Sequence, residues 1–134
     1  MPESRRTDVL VLLAIAVALR GLGLRRVDRL LRRMPQRRRA EATPPTALAR
    51  RVERAAARSP VPVRCLARSV CLQWLLRRRG IDSRLRIGTA REHGVFRAHA
   101  WVELEGRVLG DDPEHVERYA AFDHEFDGRA GQAS

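Results

Sequence analysis

Three residues of different chemistry stand in an order that suits nucleophilic catalysis: Cys65, His99 and Asp111. Cys65 follows a proline-stiffened stretch, Ser59-Pro60-Val61-Pro62, and opens a helical pattern. The first N–H groups of a helix have no intrahelical acceptor. They stabilise a thiolate, the reactive form of cysteine, and can receive the oxyanion formed when a carbonyl is attacked. His99 lies in a strand between Ala98 and Ala100, neighbours small enough to let a helix come close. A three-residue loop of Leu104-Glu105-Gly106, with Gly106 left-handed, predicts the pairs Glu103–Arg107, Val102–Val108, Trp101–Leu109 and His99–Asp111. An Asp across a ladder from a His orients the imidazole and stabilises its charged form, the third member's task in a triad. A two-residue loop of Glu105-Gly106 puts Asp112 opposite His99 instead. Gly106 favours the longer loop without deciding it, and Asp112 beside Pro113 reads as a turn residue.

The same residues also have a plain account: a buried thiol, a satisfied strand histidine and a turn-forming Asp. Cys71, six residues after Cys65, points away from it and reads as a small buried hydrophobe among Leu72, Trp74 and Leu75. A metal site is the weaker alternative. Cys65 and Cys71 lack finger-like spacing, and His93, His115 and His124 fall in turns or in the acidic tail. The glycines form no phosphate loop.

The elements that must position these residues follow from periodicity. An apolar run, Val9–Leu19, predicts a helix from Thr7, with Thr7 as its cap and Asp8 at its positive end. Leu24, Val27, Leu30, Leu31 and Met34 predict a second helix, stopped by Pro35, and Gln36–Pro45 reads as a linker. A third helix runs over Thr46–Arg58, with Leu48, Val52, Ala55 and Ala56 inward. The Cys65 helix extends to Arg79, with Gly80 as its left-handed cap and Leu66, Val70 and Trp74 with Ala67, Cys71 and Leu75 inward. From Ser83 the period changes to two, giving a strand to Ala90, a turn at Glu92-His93-Gly94, and a hairpin of Phe96–Leu104 with Arg107–Asp111. Val116, Tyr119, Ala120 and Phe122 suggest a short helix, and Asp127–Ser134 a fraying tail. The fold class is α+β, helices on an antiparallel sheet.

At 134 residues the chain holds one compact domain, with a basic helical extension and linker over 1–45 and the main domain over 46–134. Its 44% hydrophobic content argues against wholesale disorder. Every one of the 27 basic residues is an Arg, and the charge is uneven: +7 over 1–45, +10 over 46–97 and −6 over 98–134. That dipole implies a basic face for an anionic partner. The aromatics sit at core periodicities and not among the arginines, so a protein or peptide partner is favoured over nucleic acid. The eleven-residue run Val9–Leu19 is short of the roughly 20 residues that cross a membrane. Asp8 and the lack of a cleavage site argue against an export signal, which favours the cytoplasm and leaves peripheral membrane contact through 7–34 open.

Taken together, CLARSVCLQWLLRRRGI (Cys65–Ile81), LRIG (Leu85–Gly88), FRAHAWVE (Phe96–Glu103) and GRVLGD (Gly106–Asp111) resemble the lasso-peptide leader peptidases. These are transglutaminase-like proteins of bacterial lasso-peptide gene clusters. The likeness is close from Pro60 to Asp111 and looser over Val9–Arg58. It implies a papain-like fold, with Cys65 as nucleophile, His99 as base and Asp111 as acid, and with Cys71 non-catalytic. It implies a cysteine protease that cuts a precursor peptide between leader and core, without metal, ATP or other cofactor. It also implies three partners: the precursor, a cyclase that receives the core, and, on the expectation that this is a short form without a fused recognition domain, a separate leader-recognition protein. An acyl transferase using an amine in place of water, and a non-enzymatic basic scaffolding or nucleic-acid-binding module, remain the rival functions.

Overall fold

The computed structural model describes residues 2–33, 44–111, 113–117, 119–121 and 126–127. Four helices come first: α1 (Pro2–Leu22), α2 (Leu24–Arg33), α3 (Pro45–Arg58) and α4 (Cys65–Arg78). Strands β1 (Arg84–Glu92), β2 (Val95–Leu104) and β3 (Arg107–Leu109) follow, then a short α5 (Pro113–Glu117) and two brief strands, β4 (Ala120–Ala121) and β5 (Phe126–Asp127). The fold is α+β, with the helices packed on an antiparallel sheet ordered β3-β2-β1-β4, β5 also pairing with β1.

Physical chemistry accounts for most boundaries. Pro45 starts α3 at the position where a missing N–H costs nothing, and Ser59 ahead of Pro60 leaves the helix in extended backbone. Gly80 closes α4, its N–H bonded to the Arg77 carbonyl at 2.9 Å. Helix α1 starts earlier than its apolar run suggests, so Thr7 and Asp8 lie inside it and not at its cap. Asp8 instead pairs bidentately with Arg51 of α3, at 2.6 and 2.5 Å. That hydrogen bond, the largest influence on Arg51, raises its pKa above the ordinary value. The linker expected over Gln36–Pro45 lies outside the described residues up to position 43; Pro44 caps α3 and Pro45 begins it.

The core answers what the apolar N-terminal helix packs on. Leu12, Leu48, Leu76, Leu85 and Val102, one each from α1, α3, α4, β1 and β2, are each under 2% exposed. Burying each contributes about 1.5–3 kcal/mol. Helix α4 lies between the other helices and the sheet, so burial runs nearly round it. Ser69, Leu72, Gln73 and Leu76 are buried as well as Ala67, Val70 and Cys71, while Leu66, Trp74 and Leu75 are only half-buried. The single inward stripe read from the sequence is therefore too narrow.

The β2–β3 register departs from the three-residue loop. Leu104 pairs with Arg107, Glu103 with Val108 and Val102 with Leu109, round a two-residue turn of Glu105 (φ 51°) and Gly106 (φ 78°). Both turn residues are left-handed, the type I′ geometry whose twist matches the strands. Beyond α5 the chain returns to the sheet: Ala120 is strand and not helix, and Asp127 belongs to β5 and not to a tail.

Candidate active site

Cys65, His99 and Asp111 line one cavity of about 230 Å³, between α3, α4 and the β2–β3 end of the sheet. Cys65 is the first residue of α4 and is half-buried. The residue before it, Arg64, is extended and makes no side-chain cap, so its side chain does not take up the first-turn N–H groups. Cys71 is buried, and desolvation pushes its thiol up to about 12. The two thiols thus differ as the helix placement predicts: one at the cavity, one sealed in the core.

His99 faces Gly88 across the β1–β2 ladder. Its Nε2 is hydrogen-bonded to Asp111 Oδ2, with both side chains largely buried. Trp101 stacks near the imidazole at 6.0 Å between centroids, and Tyr119 tilts against it at 5.1 Å. Trp101 is itself held by its Nε1–H donating to Glu103 Oε1 at 3.2 Å.

Asp111 reaches His99 by a route the ladder argument does not contain. With the observed register, extension of the ladder would set Asp112 against His99. The ladder stops at Leu109, however, and Gly110, at φ 76°, turns the chain so that Asp111 swings onto the imidazole. A Cβ on Gly110 would lie 3.3 Å from Ala49 Cβ and 3.4 Å from Leu72 Cδ2, so the turn is pressed against α3 and α4. The contact stands while the register proposed for it does not.

Three further residues of the site go unread in the sequence. Ser69, one turn along α4 from Cys65, donates through Oγ to the carbonyl of Ala100, next to His99, at 3.1 Å. That bond ties the cysteine's helix to the histidine's strand. Its signal is visible only with α4 docked, since a buried Ser at i+4 has no meaning alone. Gly110 stands plainly before Asp111, but its role depends on the ladder ending early. Tyr119 reads as part of a helix and is instead a wall of the histidine site. Among the described residues no group of three or more His, Cys, Asp or Glu side chains is placed to hold a metal ion.

The family described as the transglutaminase-like superfamily matches residues 9–122. The chain belongs to that superfamily. The match spans α1 to β4 and so includes the N-terminal helices as well as the cavity. No curated protein and no solved structure matches the chain significantly. Among the described residues no helix of this superfamily member is long and apolar enough to cross a membrane.

Proposed function

We propose that the protein is a cysteine peptidase that removes the leader from a ribosomally made lasso precursor peptide. The observation that carries this reading is the meeting of Cys65 with the His99–Asp111 pair on one cavity of a transglutaminase-like chain. With Asp111 accepting from Nε2–H, the neutral imidazole carries its lone pair on Nδ1. Nδ1 takes the Cys65 proton, and the thiolate attacks the scissile carbonyl. The Cys65 amide, at the head of an uncapped helix, holds the oxyanion. The imidazolium then gives its proton to the departing core amine, leaving the leader as a thioester on Cys65. Water, losing a proton to Nδ1, attacks that thioester and frees the leader carboxylate and the thiol. One water is consumed per bond cut, and Asp111 supports the imidazolium in both halves. These steps draw on three side chains, one backbone amide and water.

In this reading the chemistry belongs to 46–134, and the basic helical extension over 1–45 serves contact with partners. A separate recognition protein presents the leader in the cytoplasm, and the freed core amine passes to the macrolactam cyclase. The test is single-turnover reaction of the cognate precursor with its recognition protein present. Leader and core fragments whose masses total the precursor plus one water support hydrolysis, and Cys65→Ala should yield neither. A leader joined to an amine without added water would replace the reading with acyl transfer, the chemistry for which the superfamily is named.

A further inference from the structure

Part of the outer edge of β2 has no described strand on it. Strand β3 covers β2 at Val102–Leu104, and the chain then leaves the sheet at Gly110. From Val95 to Ala98 every residue is exposed, and no described strand lies on that side, β1 occupying the other. The two-residue turns settle which backbone groups point outward. Residues flanking such a turn exchange hydrogen bonds, and the pattern alternates from there. Counted from Glu92–Val95, the odd residues of β2 bond to β1; counted from Leu104–Arg107, the even ones face the β3 side. Phe96, Ala98 and Ala100 therefore direct their N–H and C=O groups to the open edge. The Ala100 carbonyl agrees, since it accepts from Ser69 Oγ of α4.

We propose that Phe96–Ala98 is the substrate-binding edge: the peptide flanking the scissile bond adds as a strand in the lane that β3 leaves, its backbone bonded to Phe96 and Ala98. The identity of that peptide rests on the leader-peptidase reading above. Continuity selects this occupant, because the strand runs from Ala98 directly into His99 and Ala100, which line the cavity with Cys65. A docked backbone is thus delivered to the thiol. Strand addition takes its affinity from main-chain hydrogen bonds and leaves alternate side chains for selection, here against Val95 and Phe96, 55% and 66% exposed. Charge argues against a second copy of the chain, since antiparallel pairing through 96–98 would set two copies of the exposed Arg97 side by side. A neutral or acidic peptide meets no such repulsion.

Two measurements on the full chain test this. The first uses the Cys65→Ala variant and a synthetic peptide spanning the leader–core junction of the precursor from the same gene cluster, with its recognition protein added. Exchange of the Phe96 and Ala98 amides should slow at least about tenfold, with Arg97, already bonded to β1, little changed. Lack of protection at Phe96 and Ala98 overturns the proposal. The second places single N-methyl groups along the peptide. Cleavage efficiency should fall about tenfold at alternate positions on one flank, as a lost hydrogen bond predicts; an even loss, or none, overturns it. Ala98→Pro should give a similar fall in a folded protein, because proline is tolerated where the N–H faces an open edge. Normal cleavage by that variant also counts against the edge. Protection without cleavage by the unaltered chain would uphold the edge and sink the peptidase reading; cleavage without protection would do the reverse. A peptide-free dimer that buries the same amides would assign the edge to a second copy and overturn the proposal.

Discussion

The imidazole of His99 is held on three sides: Asp111 at Nε2, Trp101 along one flank and Tyr119 along another. Asp111→Asn should leave the ring with the wrong tautomer and an unsupported imidazolium. Single-turnover cleavage is expected to fall by more than about tenfold, less than the loss of about 10⁴ in a serine triad because a thiol needs less activation. Circular dichroism of the same sample should be unchanged. The two cysteines give an independent check at this scale. Iodoacetamide at neutral pH should label Cys65 and spare Cys71, whose burial and pKa of about 12 keep it a neutral, inaccessible thiol. Mass spectrometry of the tryptic peptides reads the outcome; labelling of Cys71 in the folded protein would remove the distinction.

At the scale of elements, the site depends on how α4 and the end of β3 are pinned. Gly110→Ala should strain a left-handed turn and press a methyl group on Ala49 and Leu72. A loss of about 1–2 kcal/mol in stability is expected, with a larger proportional loss of turnover, because the turn aims Asp111. Denaturant midpoint and cleavage rate, measured together, separate the two effects. The same elements show what was legible beforehand. Helices α3 and α4 could be read because apolar period, prolines and Gly80 agree. The β2–β3 register could not, because Glu105 occupies a left-handed position that a Glu does not announce. The Asp111 contact survived the wrong register because the ladder ends at Leu109 and Gly110 redirects the chain, so no ladder pair decides which residue meets His99. Strands β4 and β5 are two residues each, too short to show alternation, and the first residues of α1 carry no apolar period to mark its start.

At the scale of the molecule, α1 shares one core with the sheet, so stability is expected to be lost as a unit. Leu12→Ala should cost about 2–5 kcal/mol and unfold α1 and the sheet in a single transition, seen as coincident far-ultraviolet and tryptophan signals in urea. Two separate transitions would mean that α1 docks independently. Cys71 adds a pH dependence. In the unfolded chain its thiol ionises near its ordinary pKa of 9.0, whereas burial keeps it protonated to about 12 in the fold. The contribution to stability is full below pH about 9 and declines as pH rises towards 12, because the unfolded state sheds its proton first. The urea midpoint should therefore drop between pH 9 and 11, and drop less steeply in Cys71→Ala. The shared core also sets a timetable for synthesis. Leu12 leaves the ribosome some 90 residues before Val102, with which it shares that core. At about 5–20 residues per second the delay is roughly 5–20 s. For that interval a nascent apolar helix waits without its full cover, and Cys65 is on the chain before His99 and Asp111 have been made, so under the proposed peptidase mechanism the thiol cannot be armed until β3 and the turn after it are translated.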